Sequence, residues 1–502
     1  MPHTAQIPMR QLSESDAAFI YSDSAHANSN VSLLHIYDQT TAPNGVVRFK
    51  QILTHLENRL NQLPVLRQKV LRVPLDLDYP YWVEDENFDI EYHVRHIALP
   101  KPGDWRQFCI QAARIHARPL DLQRPLWEMY VIEGLDSFLD LPLGSFAVLL
   151  KIHHAAVDVT HGHLITTLLH DFSPNPPKPP PPMPWFPQDP PGSLALMWRA
   201  GFHAASFPLR MMEPLTRGLG LMALTLKTFA SEFLHRPTEF PMTRFNTVVS
   251  PHRVFDTRRF ARADFEPIRA LVRNATMNDV VLAVCAGGLR RYLDLQGELP
   301  ESSLVAAAPI SVQNPNPKDV QAGFAWARVS LHTELADPVA RLQAIARTTA
   351  SSEVMAQALG ARELTDIARH APSAAIAASS KMLRSASARL GDWAPLANCN
   401  ITHVMGPQQP LYLQGARLTY LSAIMPIADG MGLVFSVTSY NEMMVISFTA
   451  CYEQLPDPEV FAQCLRDSFQ EYMALAVAPA STPVAKPSAK RNVKNVPSKL
   501  TD

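Results

Sequence analysis

Its 502 residues exceed what one hydrophobic core supports, which favours two or three domains, and 47% apolar against 18% charged residues describes a folded chain and excludes a disordered one. With 45 basic and 46 acidic residues the formal net charge is -1, so no global field draws nucleic acid or an anionic membrane, and any such patch has to be local. The five cysteines (Cys109, Cys285, Cys399, Cys451 and Cys464) are odd in number, scattered and free of CxxC spacing, which points away from a disulfide framework or a zinc site and fits a reducing cytoplasm.

In chain order, residues 1–16 are polar and lack the apolar stretch of a secretory signal. Phe49, Ile52, Leu53, Leu56, Leu60 and Leu63 recur at helical spacing, and residues 105–118 read as a second amphipathic helix. Residues 126–135 and 145–152 are short apolar runs bounded by Gly, Pro and Asp, the pattern of strands buried in a sheet, and the second runs directly into His153 and His154. Between Pro174 and Pro191 eleven of eighteen residues are proline, which forbids helix and sheet interiors and predicts an extended spacer.

After the spacer, residues 195–234 are rich in Leu, Met, Phe and Ala. They predict a long crossover helix or helix pair, whose Met-rich face either packs in a core or docks on a membrane. From residue 250 onward, helices (264–273, 277–295, 338–356) alternate with strands (303–312, 326–332, 417–424, 433–440, 443–451), which predicts a second α/β unit. Residues 476–502 are rich in Pro, Ala, Ser and Lys and predict a disordered basic tail, able to attract anionic lipid. No run is long and apolar enough to span a bilayer, so membrane contact is expected to be peripheral. The resulting division is 1–173 for a first half, 174–245 for linker and crossover, 246–475 for a second half and 476–502 for the tail.

Chemistry concentrates in Lys151-Ile152-His153-His154-Ala155-Ala156-Val157-Asp158, where two adjacent histidines end a buried strand and an aspartate follows four residues past the second. An imidazole with near-neutral pKa can take a hydroxyl proton while the oxygen attacks a thioester, and its other ring nitrogen needs a partner that fixes the tautomer. His161 and His163 follow closely, but neighbouring residues of an extended chain point to opposite sides, and no metal site is expected. The chain has no GxSxG elbow, P-loop or GxGxxG, which argues against hydrolase, nucleoside-triphosphate and dinucleotide folds, and no basic domain for nucleic acid.

The order HHxxxD, preceded by Pro125-Leu126-Trp127-Glu128 and followed by Met277-Asn278-Asp279-Val280, resembles the bacterial wax ester synthase/diacylglycerol acyltransferase family of the HHxxxDG acyltransferases. The resemblance also covers residues 12–16, 88–96, Arg118-Pro119-Leu120-Asp121, Glu133-Gly134-Leu135, Pro309-Ile310-Ser311, Gly406-Pro407, residues 411–417 and Ser439-Tyr440-Asn441. It implies an α/β fold of two chloramphenicol-acetyltransferase-like (CoA-dependent acyltransferase) subdomains with a substrate tunnel between them, joined by the Pro-rich linker and crossover helix. It further implies O-acyl transfer from acyl-CoA, as co-substrate and without a resident cofactor, to a long-chain alcohol or diacylglycerol. The protein would be cytoplasmic and held peripherally at the inner membrane face or a lipid inclusion.

The family's catalytic base then falls on His154, with His153 supporting it and Asp158 tying the loop. Asn278 is either an oxyanion or alcohol contact or a helix N-cap, and Trp127 and Asp279 become substrate-binding residues, Trp127 having core packing as its alternative. The sequence departs from the family at Val159, where a glycine usually follows the aspartate, at Gln313 and Phe324, and at His403-Val404-Met405, where Asn-Val-Pro is usual. Two other readings share part of this evidence: a peptide-condensation domain acting on carrier-bound thioesters, and a non-catalytic lipid-binding scaffold of inclusions.

Overall fold

A computed structural model of the protein describes residues 9–137, 141–157, 162–176, 185, 187, 189–202, 241–311, 324–351 and 397–477. Two six-stranded sheets carry the architecture, and a small three-stranded sheet flanks the first. The first sheet runs Tyr412–Leu413, Ala416–Ile424, Asn30–Asp38, Phe146–His153, Trp127–Glu133, Val94–Ala98. The second runs Phe324–Ser330, Val305–Ser311, Cys399–Met405, Leu433–Tyr440, Met443–Cys451, Arg253–Ala261. Each has helices against it, so the expected α/β fold of two subdomains is what the chain adopts.

The linear order of the chain does not divide the sheets at one point. Ala416–Ile424, far along the sequence, pairs antiparallel with Asn30–Asp38 from Arg417 opposite Asp38 to Ile424 opposite Ser32. A strand from the second half therefore completes the first sheet, and its residue Ala423 accepts a hydrogen bond from Ser447 of the second sheet at 3.0 Å.

Phe146–His153 is buried at every position. It is a central strand covered on both faces, which is why its sequence is a continuous apolar run without alternation. The exception inside that run is Lys151, whose ammonium lies 2.9 Å from the Glu128 carboxylate on the neighbouring strand and donates to the carbonyls of Ile115 (3.2 Å) and Arg118 (3.1 Å). Those carbonyls end the helix Trp105–Ala117, which Asp104 caps at its start and to which Asn28 and Asn30 also donate, at Ala117 (3.0 Å) and Arg118 (3.1 Å). Burial pulls the Lys151 ammonium below the ordinary lysine range, with Glu128 opposing. Burial pushes Glu128 up, but Lys151 and Arg95 hold it net below the usual carboxylate range.

The helix Phe49–Glu57 is shorter than the apolar spacing suggests, ending at the C-cap Asn58. Leu60 and Leu63 reach the core from short 3-10 turns instead. Of residues 195–234, the part to 202 is helical: Leu196 and Ala200 pack on Val73, Tyr81 and Val83, while Leu194, Trp198 and Phe202 stand 81%, 80% and 71% exposed. Residues 203–240, most of the proline spacer and the tail from 478 lie outside the described residues. Among the described residues no helix is long and apolar enough to cross a membrane.

Replacing Lys151 by methionine leaves Glu128 buried with only Arg95 at 3.4 Å to balance it. The expected loss in urea unfolding is about 3 kcal/mol, and adding Glu128→Gln recovers part of it because the uncompensated charge is gone. A cost below about 1 kcal/mol for Lys151→Met alone contradicts this account of the strand.

Candidate active site

At the end of the central strand the backbone N–H of His153 donates to Leu126 (2.9 Å), and the chain turns into a single 3-10 turn, His154–Ala156. The His153 ring is buried and both its nitrogens are engaged. Nδ1 accepts the backbone N–H of Ala155 at 3.1 Å, so Nε2 carries the proton and donates to Asp23 Oδ2 at 3.0 Å. A ring so committed caps the turn and has no nitrogen to offer a substrate.

His154 is built differently. Its backbone N–H donates to the Ser29 carbonyl at 2.8 Å, and its ring stacks on Phe19 with centroids 4.0 Å apart and planes inclined by 22°. No hydrogen bond joins either ring nitrogen to a described side chain. Burial lowers the basicity of the imidazole below its ordinary range, the neighbouring His153 adds to that, and the nearby backbone carbonyl opposes it.

The helix Glu14–Ser22 holds this turn in place. Ser13 caps it by accepting the Asp16 N–H at 3.1 Å, and the helix lies across the His154 turn. Phe19 and Asp23 stand four residues apart and meet His154 and His153 respectively, as side chains one turn apart do. Asp23 Oδ1 also accepts the Ser29 N–H at 2.8 Å. Sequence reasoning missed Phe19, Asp23 and Ser29, although a signal was available: Ser13 three residues before Asp16, followed by an apolar run, is a helix start.

Two of the expected substrate contacts are engaged within the fold. Trp127 is 2% exposed, donates from Nε1 to the Leu66 carbonyl at 2.8 Å and stacks on His93 at 4.7 Å, so it packs the first core beneath the strand. Asp279 is equally buried. Its Oδ2 accepts from the Thr276 N–H (2.7 Å) and hydroxyl (2.8 Å), and its Oδ1 from Thr349 (2.7 Å), so it anchors the start of the helix Met277–Leu295.

Thr276 is the N-cap of that helix, which removes the capping alternative for Asn278. Asn278 Nδ2 donates to the Pro309 carbonyl at 3.4 Å. The adjacent strand Cys399–Met405 pairs with Val305–Ser311 only as far as Asn400 opposite Ala307, so the ladder has opened where that carbonyl lies. Asn278 thus belongs to the second subdomain, and His153 and His154 to the first. Asp158, Val159 and His161 lie outside the described residues, as does Gln313. Among the described residues no cluster of three His, Cys, Asp or Glu side chains is placed to hold a metal ion, and all five cysteines are buried free thiols.

Comparison with known proteins bears on this geometry. Residues 12–281 match the family described as the wax ester synthase/diacylglycerol acyltransferase catalytic domain, and residues 322–473 match its C-terminal domain. A Mycobacterium tuberculosis protein named as a diacylglycerol O-acyltransferase is 31% identical, over 89% of this chain and 87% of its own. The O-acyltransferase WSD of Acinetobacter baylyi is 30% identical over 78% and 82%. Among solved structures, the wax ester synthase/diacylglycerol acyltransferase of Marinobacter aquaeolei VT8 superposes with a TM-score of 0.64 at 24% identity, covering 93% of this chain and 99% of that one. A starter condensation domain of rhizomide synthetase bound to C8-CoA has the same fold, with a TM-score of 0.51 at 14% identity over 93% and 95%.

NMR of labelled histidine should find His154 titrating below 6.5. In Phe19→Ala, water reaches the ring face, the charged form is penalised less, and the titration moves up toward 6.5. A His154 signal titrating at or above 6.5 in the unaltered protein contradicts this account of a half-buried ring with lowered basicity.

Proposed function

We propose, from the fact that the chain belongs to the wax ester synthase/diacylglycerol acyltransferase family, that it moves a fatty acyl group from acyl-CoA to the hydroxyl of a long-chain alcohol or a diacylglycerol, with His154 as general base. The observation that carries this reading is an imidazole at the end of the central strand that stacks on Phe19 and has no described side chain on either ring nitrogen, with its basicity lowered by burial.

In the proposed reaction Nε2 accepts the acceptor's hydroxyl proton as its oxygen attacks the thioester carbonyl. The tetrahedral intermediate expels the CoA thiolate, which takes that proton back from the imidazolium, so no acyl-enzyme forms. Asn278 is the candidate donor to the developing oxyanion or to the alcohol. Its amide nitrogen carries two hydrogens and gives one to Pro309, so the other is available to a substrate oxygen. His153 supports the turn, and Asp158 is assigned to tying the loop that follows it.

Both acceptors are water-insoluble and reside in lipid, which favours peripheral attachment to the cytoplasmic face of a membrane or to a lipid inclusion. The exposed Leu194, Trp198 and Phe202 on one helix support that placement, since aromatic and aliphatic side chains of this kind sit well at a lipid interface. Five reduced, buried thiols agree with a cytoplasmic setting.

The direct test follows CoA release from palmitoyl-CoA with hexadecanol or diacylglycerol as acceptor. Acceptor-dependent release is expected, falling by about 10³-fold in His154→Ala, within the range for loss of a general base. Release that is no greater than in His154→Ala with either acceptor rejects the enzyme and leaves a non-catalytic lipid-inclusion scaffold.

A further inference from the structure

We propose that Asp23 is a positioning residue for the transfer reaction: its carboxylate grips the His154 turn from two sides, while Phe19, one helical turn earlier, fixes the ring plane. The inference rests on the reading of His154 as base and adds the residues that aim it.

The carboxylate of Asp23 meets two N–H groups with its two oxygens, Oδ2 with His153 Nε2 at 3.0 Å and Oδ1 with the Ser29 amide at 2.8 Å. Each leads to His154 by a different route. His153 is the preceding residue, and its Nδ1 caps the turn that His154 opens by accepting the Ala155 N–H. The peptide carbonyl of Ser29 receives the backbone N–H of His154 at 2.8 Å. Moving or removing the carboxylate therefore loosens the backbone of His154 at both neighbours, while Phe19 at 4.0 Å restrains the rotation of the ring itself. Phe19 lies in the short helix that Ser13 caps, and Asp23 is the residue that ends it, so both restraints come from one local segment. Neither oxygen of Asp23 needs to touch a substrate for this role, and a base displaced by about 1 Å loses on the order of 10²-fold in rate.

The experiment is steady-state formation of labelled ester from palmitoyl-CoA and hexadecanol, followed over hours so that slow variants are measured. It compares the unaltered protein, Asp23→Ala, His154→Ala and the double variant. Asp23→Ala should lower kcat about 100-fold and leave KM for either substrate within about threefold, because only the aim of the base is lost. In the His154→Ala background the same change should have no further effect, since the group it positions is gone. Asp23→Asn keeps one acceptor oxygen and should fall between Asp23→Ala and the unaltered protein.

An unchanged kcat in Asp23→Ala overturns the proposal, and so does a loss that reappears in full on top of His154→Ala, which marks a structural defect unrelated to the base. Near-normal turnover in His154→Ala alone overturns the base and the positioning role together. Should Asp23→Ala fail to fold, Phe19→Leu carries the test. Its kcat should fall about tenfold in the normal background and not at all in His154→Ala, and an equal loss in both backgrounds overturns the proposal.

Discussion

A buried ammonium two residues before the histidine pair sets the frame for everything around it. Lys151 lies in the most enclosed strand of the first sheet, where an unpaired charge would cost several kcal/mol. It is tolerated because Glu128 stands directly opposite on the next strand and the open C-terminal carbonyls of the helix Trp105–Ala117 turn toward it. This demand fixes the strand register and the docking of that helix together. The far end of the helix is tied to the second subdomain, where Trp105 Nε1 donates to Asp256 at 2.7 Å. The helix that closes this ion pair at one end is thus also tied to the second sheet at the other.

The two adjacent histidines show how strongly local geometry decides role when residue type is held constant. His153 still belongs to the strand, so its ring lies inside the protein, and each nitrogen finds a fixed partner in Ala155 and Asp23. His154 opens a 3-10 turn, and the change in backbone direction carries its ring out of the strand's alternation and against Phe19. The Asp23 carboxylate engages the first ring, so it acts on the turn and leaves the second ring without a described side-chain partner.

The sequence was most legible where the periodic signal was local. The strands ending at Glu133 and His153, and those over 433–440 and 443–451, occupy nearly the expected spans, and so does the helix Met277–Leu295. The strand Asn30–Asp38 was not foreseen, although it lies at the centre of the first sheet: Asn30, Ser32 and His35 interrupt its apolar pattern, and all three are buried with uses visible only in three dimensions. Likewise no periodicity tells that Ala416–Ile424 joins the sheet of the other half. In the site, the histidine pair was readable from its motif, whereas the contacts that Trp127 and Asp279 make inside the fold were not. A motif residue can recur because it packs a core or caps a helix, and sequence order does not separate those duties from substrate contact. Asp23 and Phe19 escaped because they lie about 130 residues before the rings they touch.

The lowered basicity of His154 is better understood as a consequence of its partial burial against Phe19 than as tuning of the base. An imidazole at the ordinary 6.5 is already about three-quarters neutral at pH 7, so depressing it further can raise the active fraction by at most about a third. Each unit of lost basicity meanwhile costs about threefold in proton-transfer drive at a Brønsted slope of about one half. Depression alone is therefore a net loss for catalysis. What it accompanies is the Phe19 ring, which covers one face of the half-buried imidazole. Water competes directly with an alcohol for an activated thioester, and the alcohol acceptors proposed here are scarce in solution while water is present at tens of molar. A few-fold loss in proton transfer is outweighed if the same packing keeps the competing nucleophile from the carbonyl. The stacking of an apolar ring on the base, rather than a polar partner that would sharpen its pKa, follows from that ordering of effects.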